Sequence, residues 1–189
     1  ARLSDPLQWP EAGVSRIPFR LFSDPEIYAL EQERIFRGKV WNFLCLEIDV
    51  ANTGDYKLAT VGEIPIIVTR DEHGQVHAMV NRCAHKGALV CIKERGNTKQ
   101  MTCVYHSWTY AMDGRLKGLA FQKGLRGEDG MPDDFAIDNH RLEPVRAEIF
   151  CGLVFGTFSE QTPPVEQFFG KPMADYLHRC LGRPLKLLG

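Results

Sequence analysis

The chain has 189 residues, 44% of them hydrophobic and 25% charged, with a formal net charge of −1. That length supports one domain with a real core plus a fragment of another, and the balance is that of a globular protein in water. No basic field invites nucleic acid, and no apolar run is long enough to span a bilayer, so neither is an expected partner. Residues 1–10 lack the basic-then-apolar layout of a secretory leader, which points to the cytoplasm.

Residues 23–26 (SDPE) open a helix. Ser23 as N-cap gives capping-box spacing to Glu26, and Asp24 as cap with Pro25 following also works. The helix is predicted to reach about Phe36 and stop at Gly38. Short β-branched or aromatic runs follow at 39–46, 55–61, 64–70 and 75–80, with a hairpin turn at 71–74. Further strands are predicted at 101–105, 108–111, 142–150 and 153–157. Closely spaced strands with polar turns argue for an antiparallel sandwich or small barrel. Residues 121–135 read as a long functional loop. Its Gly124, Gly127 and Gly130 have no strand–turn–helix around them and make no phosphate cradle. Residues 162–164 (TPP) read as a linker, followed by short helices at 165–170 and 173–181.

Two segments carry the chemistry, 81–87 (NRCAHKG) and 103–108 (CVYHSW). Each offers one thiol and one imidazole from a turn beside a strand. In a Rieske [2Fe–2S] centre two thiolates hold one iron and two imidazoles the other, so Cys83, His85, Cys103 and His106 form a matching donor set. Gly87 suits a close backbone approach, having no Cβ. The competing reading is structural zinc with the same four ligands, although zinc modules usually bring thiols in Cys-x-x-Cys pairs.

Cys45, Cys151 and Cys180 read as small buried hydrophobes, and a reducing compartment argues against disulfides. His73 and His77 belong to the hairpin and His140 to a polar loop. His178 pairs with Asp175 at helical spacing. No nucleophile elbow, catalytic triad or P-loop is visible, and no catalytic residue is assigned.

At this point the sequence resembles the N-terminal Rieske domain of the large (α) subunit of aromatic-ring-hydroxylating oxygenases. The matching stretches are 30–56 (LEQERIFRGKVWNFLCLEIDVANTGDY), 81–91 (NRCAHKGALVC) and 103–114 (CVYHSWTYAMDG). Within that family, 81–91 and 127–135 (GEDGMPDDF) are similar to salicylate hydroxylases and to anthranilate and halobenzoate dioxygenases. The resemblance implies a mainly β fold: an antiparallel Rieske-type β-sandwich with a cluster-binding subdomain, an N-terminal helix and a helical C-terminal tail. It implies three parts: an N-terminal segment and helix (1–38), the [2Fe–2S] domain (39–159), and a linker with the start of a truncated catalytic domain (160–189). It also implies an oxidoreductase that takes electrons from a ferredoxin or an NAD(P)H-dependent reductase. Those electrons pass to a mononuclear Fe(II) held by two His and one carboxylate. That triad is not found here, so the chain is expected to be a fragment without oxygenase activity. A homotrimer of α subunits and a small β subunit are further implications; the other reading is a free-standing Rieske ferredoxin.

The residues expected around the ligands are Lys86, Gly87, Ser107 and Trp108. The family usually has Arg where Lys86 stands, which loses a planar bidentate fork. The two bridging cysteines of respiratory Rieske proteins would fall at Ala88 and Tyr105, leaving Cys91 without a partner. The hydroxyl those proteins aim at a sulfide would fall at Trp108. Fewer donors to sulfur imply a potential low in the Rieske range of about −150 to +300 mV.

Overall fold

The computed structural model describes residues 9, 13–126, 128–183 and 186; Gly127 and, apart from Trp9, the 1–10 stretch lie outside them. Asp24 caps helix α1 (Pro25–Glu31): its carboxylate accepts from Glu26 N at 2.8 Å and Ile27 N at 3.4 Å. Of the two caps the sequence allowed, Asp24 wins because Pro25 enters the first turn with its φ preset. A π-helical turn, Gln32–Phe36, carries the chain on to Gly38.

Among the described residues ten strands follow: β1 (Asn42–Leu46), β2 (Asp55–Val61), β3 (Ile64–Arg70), β4 (Val76–Val80), β5 (Arg95–Asn97), β6 (Met101–Thr102), β7 (Thr109–Tyr110), β8 (Leu116–Gly118), β9 (Pro144–Phe150) and β10 (Leu153–Thr157). All pair antiparallel, in a seven-stranded sheet of order β1-β10-β9-β4-β3-β2-β5 and a small sheet β6-β7-β8. The large sheet curls until β1 meets β2. This is the mainly antiparallel β fold that the resemblance implies. Strands β5 and β8 were not anticipated. At three residues each they are too short to show an alternation, and Gly96 and Gly118 sit in them.

The run IIVT in β3 is buried on both faces, which is why it reads as continuously apolar. Ile66 and Val68 fill the inside of the curled sheet with Val50, Val61, Val80 and Val154. Ile67 points the other way, into a second core with Met79, Cys83, Cys103, Trp108, Tyr110 and Leu142. Thr69, one alternation further, donates its buried hydroxyl to Met112 O at 2.5 Å. The small sheet and its two adjoining loops therefore sit as a lobe on one face of the large sheet.

The 162–164 stretch read as a linker is pinned. Trp41 Nε1 donates to Pro163 O at 2.8 Å, and Arg146, lying over the Trp41 ring, donates to Thr162 O at 2.6 Å. Helix α2 (Val165–Leu181) breaks at Gly170, where φ is 71° and ψ 161°, just before Pro172. It is thus two helical pieces, as the sequence suggests. Among the described residues no helix is long and apolar enough to cross a membrane.

Candidate metal centre

The lobe presents two loops. In the first, Cys83 N donates to Ala88 O at 2.8 Å and Gly87 N to Cys83 O at 2.8 Å. In the second, Cys103 N donates to Trp108 O at 2.9 Å and Ser107 N to Cys103 O at 3.0 Å. Each loop closes through a residue in the left-handed region, Gly87 at φ 71° and Ser107 at φ 56°. A Cβ added to Gly87 would meet no protein atom within 4 Å. A left-handed backbone is what the protein's own atoms ask of that glycine.

Both cysteines are buried, Cys83 at 5% and Cys103 at 2% exposure, while His85 is half-buried and His106 exposed. The two imidazoles lie 4.7 Å apart at 71°. Among the described residues, His85 Nδ1 is a buried nitrogen with no hydrogen-bond partner. Burial, then the charges of His106 and Lys86, holds the His85 ring below the usual imidazole range.

Two groups outside the predicted set hold this arrangement. Asn81, 1% exposed, accepts from Val90 N at 2.9 Å and Cys91 N at 3.0 Å and donates to Cys91 O at 2.7 Å, closing the first loop at its base. Tyr110 Oη accepts from Ala84 N at 3.1 Å and lies 3.1 Å from Cys83 Sγ, to which it would donate when the sulfur is a thiolate. Burial first, and the Cys83 sulfur next, push that phenol well above its ordinary range, so it stays a donor.

Among the described residues no three His, Cys, Asp or Glu side chains gather about one ion position. The family profile that matches residues 40–127 is the Rieske [2Fe–2S] domain. Those residues belong to the Rieske family.

Over 97% of its length the chain is 42% identical to a terephthalate 1,2-dioxygenase terminal oxygenase component subunit alpha 2 from Comamonas sp, covering 44% of that protein. It is 44% identical to an anthranilate 1,2-dioxygenase large subunit from Burkholderia cepacia, covering 97% of this chain and 43% of the relative. A naphthalene 1,2-dioxygenase from Rhodococcus sp., solved with indole bound, superposes with TM-score 0.77 at 34% identity, over 86% of this chain and 36% of that one. The chain thus spans less than half the length of these relatives and corresponds to the Rieske part of oxygenase large subunits.

Among the remaining cysteines, histidines and loop residues some expectations hold and others need correction. Cys91 and Cys45 are buried, and burial pushes their thiols up to about 11 and about 12. Cys180, however, is exposed and Cys151 only half-buried, so neither is a fully buried hydrophobe. His178 does not pair with Asp175: Lys171 takes that carboxylate at 2.8 Å, and His178 Nδ1 lies 3.4 Å from Cys151 Sγ. His140 is no idle loop residue, since its ring meets Trp108 at 5.5 Å and stacks on Phe135 at 4.5 Å. Lys86 and Ser107 are exposed, whereas Trp108 is 3% exposed and stacks on His85.

Proposed function

We propose that Cys83 and Cys103 hold one iron of a [2Fe–2S] cluster and His85 and His106 the other. The observation that carries this reading is the pair of matching loop closures, which brings two buried thiols and two adjacent imidazoles into one lobe. The partnerless His85 Nδ1 adds a lone pair with no other use. The bound cluster supplies one-electron chemistry. The chain's own residues exclude water from the thiolates and leave His106 at the surface, where a partner can approach.

In the whole protein this domain relays electrons from a ferredoxin or NAD(P)H-dependent reductase to a mononuclear Fe(II) site. That site hydroxylates an aromatic acid, and it lies in a domain beginning about residue 160. Homotrimeric α subunits, with or without a small β subunit, and a cytoplasmic location complete the proposal. Relatedness over 97% of the chain, helix α1 and the C-terminal segment included, favours this over a free-standing ferredoxin. The test is stopped-flow reduction with a ferredoxin–reductase pair. The domain should be reduced yet oxidise no aromatic acid in dioxygen; turnover by residues 1–189 alone would sink the relay assignment.

A further inference from the structure

Positions 108 and 110 are two apart along an extended segment, so their side chains point the same way. Both reach from the second ligand loop across to the first. Tyr110 meets Cys83 Sγ at 3.1 Å, and the Trp108 indole lies flat on His85 with centroids 4.9 Å apart at 6°. Each candidate ligand of the first loop thus has its own partner.

Trp108 is itself fixed. Its carbonyl accepts from Cys103 N at 2.9 Å. Phe135 meets its ring edge-on at 5.8 Å and 81°, and His140 does so at 5.5 Å and 74°. Among the described residues neither ring nitrogen of His85 has a protein hydrogen-bond partner to fix its ring, Nδ1, the atom proposed to donate, being the buried one. Its ring contacts are the flat Trp108 face and the edge of His106. An imidazole lone pair lies in the ring plane, so whatever fixes the plane fixes the direction in which the nitrogen can donate. A metal-ligating histidine usually has its ring set by a hydrogen bond at the other nitrogen; here an aromatic face stands in that place.

We infer that Trp108 is a positioning residue for His85, its indole setting the imidazole plane for iron while Tyr110 serves the thiolate side. This rests on the ligand assignment proposed above.

The test is pulsed EPR of the reduced, cluster-loaded protein, reading the hyperfine couplings of the ligand nitrogens. Trp108→Leu and Trp108→Met remove the flat face, and Trp108→Phe keeps it. Leu142→Ala loosens the same buried core, where Leu142 is 1% exposed. The non-planar variants should displace the couplings of one imidazole and weaken cluster retention against a chelator about tenfold or more. Trp108→Phe and Leu142→Ala should keep wild-type couplings. If no non-planar variant takes up a cluster, rescue by Trp108→Phe with wild-type couplings supports the inference. Unchanged couplings in Trp108→Leu overturn it, as does an equal displacement in Leu142→Ala or a Trp108→Phe protein that holds no cluster. A wild-type spectrum with fewer than two coupled imidazoles would instead remove the ligand assignment, before any variant is made.

Discussion

Residues 83–88 and 103–108 close with the same two backbone hydrogen bonds and the same left-handed fifth residue, Gly87 in one and Ser107 in the other. What hangs on the two frames differs. His85 is half-buried under Trp108, while His106 is exposed beside Tyr105, itself 62% exposed. The first loop is tied at its base by Asn81; the second is flanked by β6 and β7, which pair with each other and need no such tie. Backbone hydrogen bonds set the frame, and the surroundings decide which histidine is anchored and which faces out. A frame that is equal in both loops should make their thiols equally indispensable, and unequal surroundings should make their supports unequal.

The largest expected effect tests the equality. Cys83→Ser and Cys103→Ser should each abolish the visible absorption and EPR signal of the cluster, and destabilise the lobe because metal binding contributes to folding. Cys91→Ser should keep both signals, since Cys91 is a buried thiol tied only through its backbone to Asn81. A folded, colourless Cys91→Ser protein would break the ligand set.

The inequality is tested at Asn81. Asn81→Leu removes three buried hydrogen bonds and strands the amides of Val90 and Cys91. At about 1 kcal/mol for each bond, plus the cost of stranded donors, the loss should be about 3 kcal/mol or more. Urea denaturation of the loaded protein measures it. A loss below about 1 kcal/mol would mean the first loop holds its own shape, as the second does.

Tyr110→Phe sharpens the comparison at the sulfurs. A hydrogen bond to a thiolate favours the reduced, more negative cluster, so losing the 3.1 Å contact to Cys83 should lower the midpoint potential. A bond worth about 1 kcal/mol corresponds to tens of millivolts, on the order of 40 mV for one electron. Protein-film voltammetry reads the shift, and an unchanged or raised potential would show that the phenol does not donate to sulfur.

The elements with a clear period were legible in sequence: β2, β3 and β10 fall where alternation and β-branching place them. The proposed donor set rests in sequence on spacing alone. What closes the loops was not, because a hydrogen bond from residue i+4 to i leaves no compositional trace, and Ser107 looks like any turn serine. Tyr110 could have been found, since it stands two residues from Trp108 on a strand beside the two candidate loops. Asn81 could not. Its amide works only because the chain returns at Val90 and Cys91, and that return is a tertiary fact. His140 was misread for the same reason: a polar stretch gives no sign that its histidine lies against a buried tryptophan.

The smallest expected effect, at Ser107, asks whether the two closures are the same device. Gly87 has φ 71° and open space where a Cβ would go, so Gly87→Ala meets no clash with protein atoms. Its cost should be that of placing an L-residue in the left-handed region, about 1–2 kcal/mol. Ser107 already bears that strain at φ 56°. Ser107→Gly should relieve it, while the greater chain entropy of glycine in the unfolded state takes back about 0.5–1 kcal/mol. The net change should be a stabilisation between about 0 and 1.5 kcal/mol, with wild-type spectra. Denaturation midpoints of the two loaded variants give both numbers. If Ser107→Gly costs as much as Gly87→Ala, the serine side chain does something in the second loop that glycine does not do in the first, and the loops share hydrogen bonds without sharing a role.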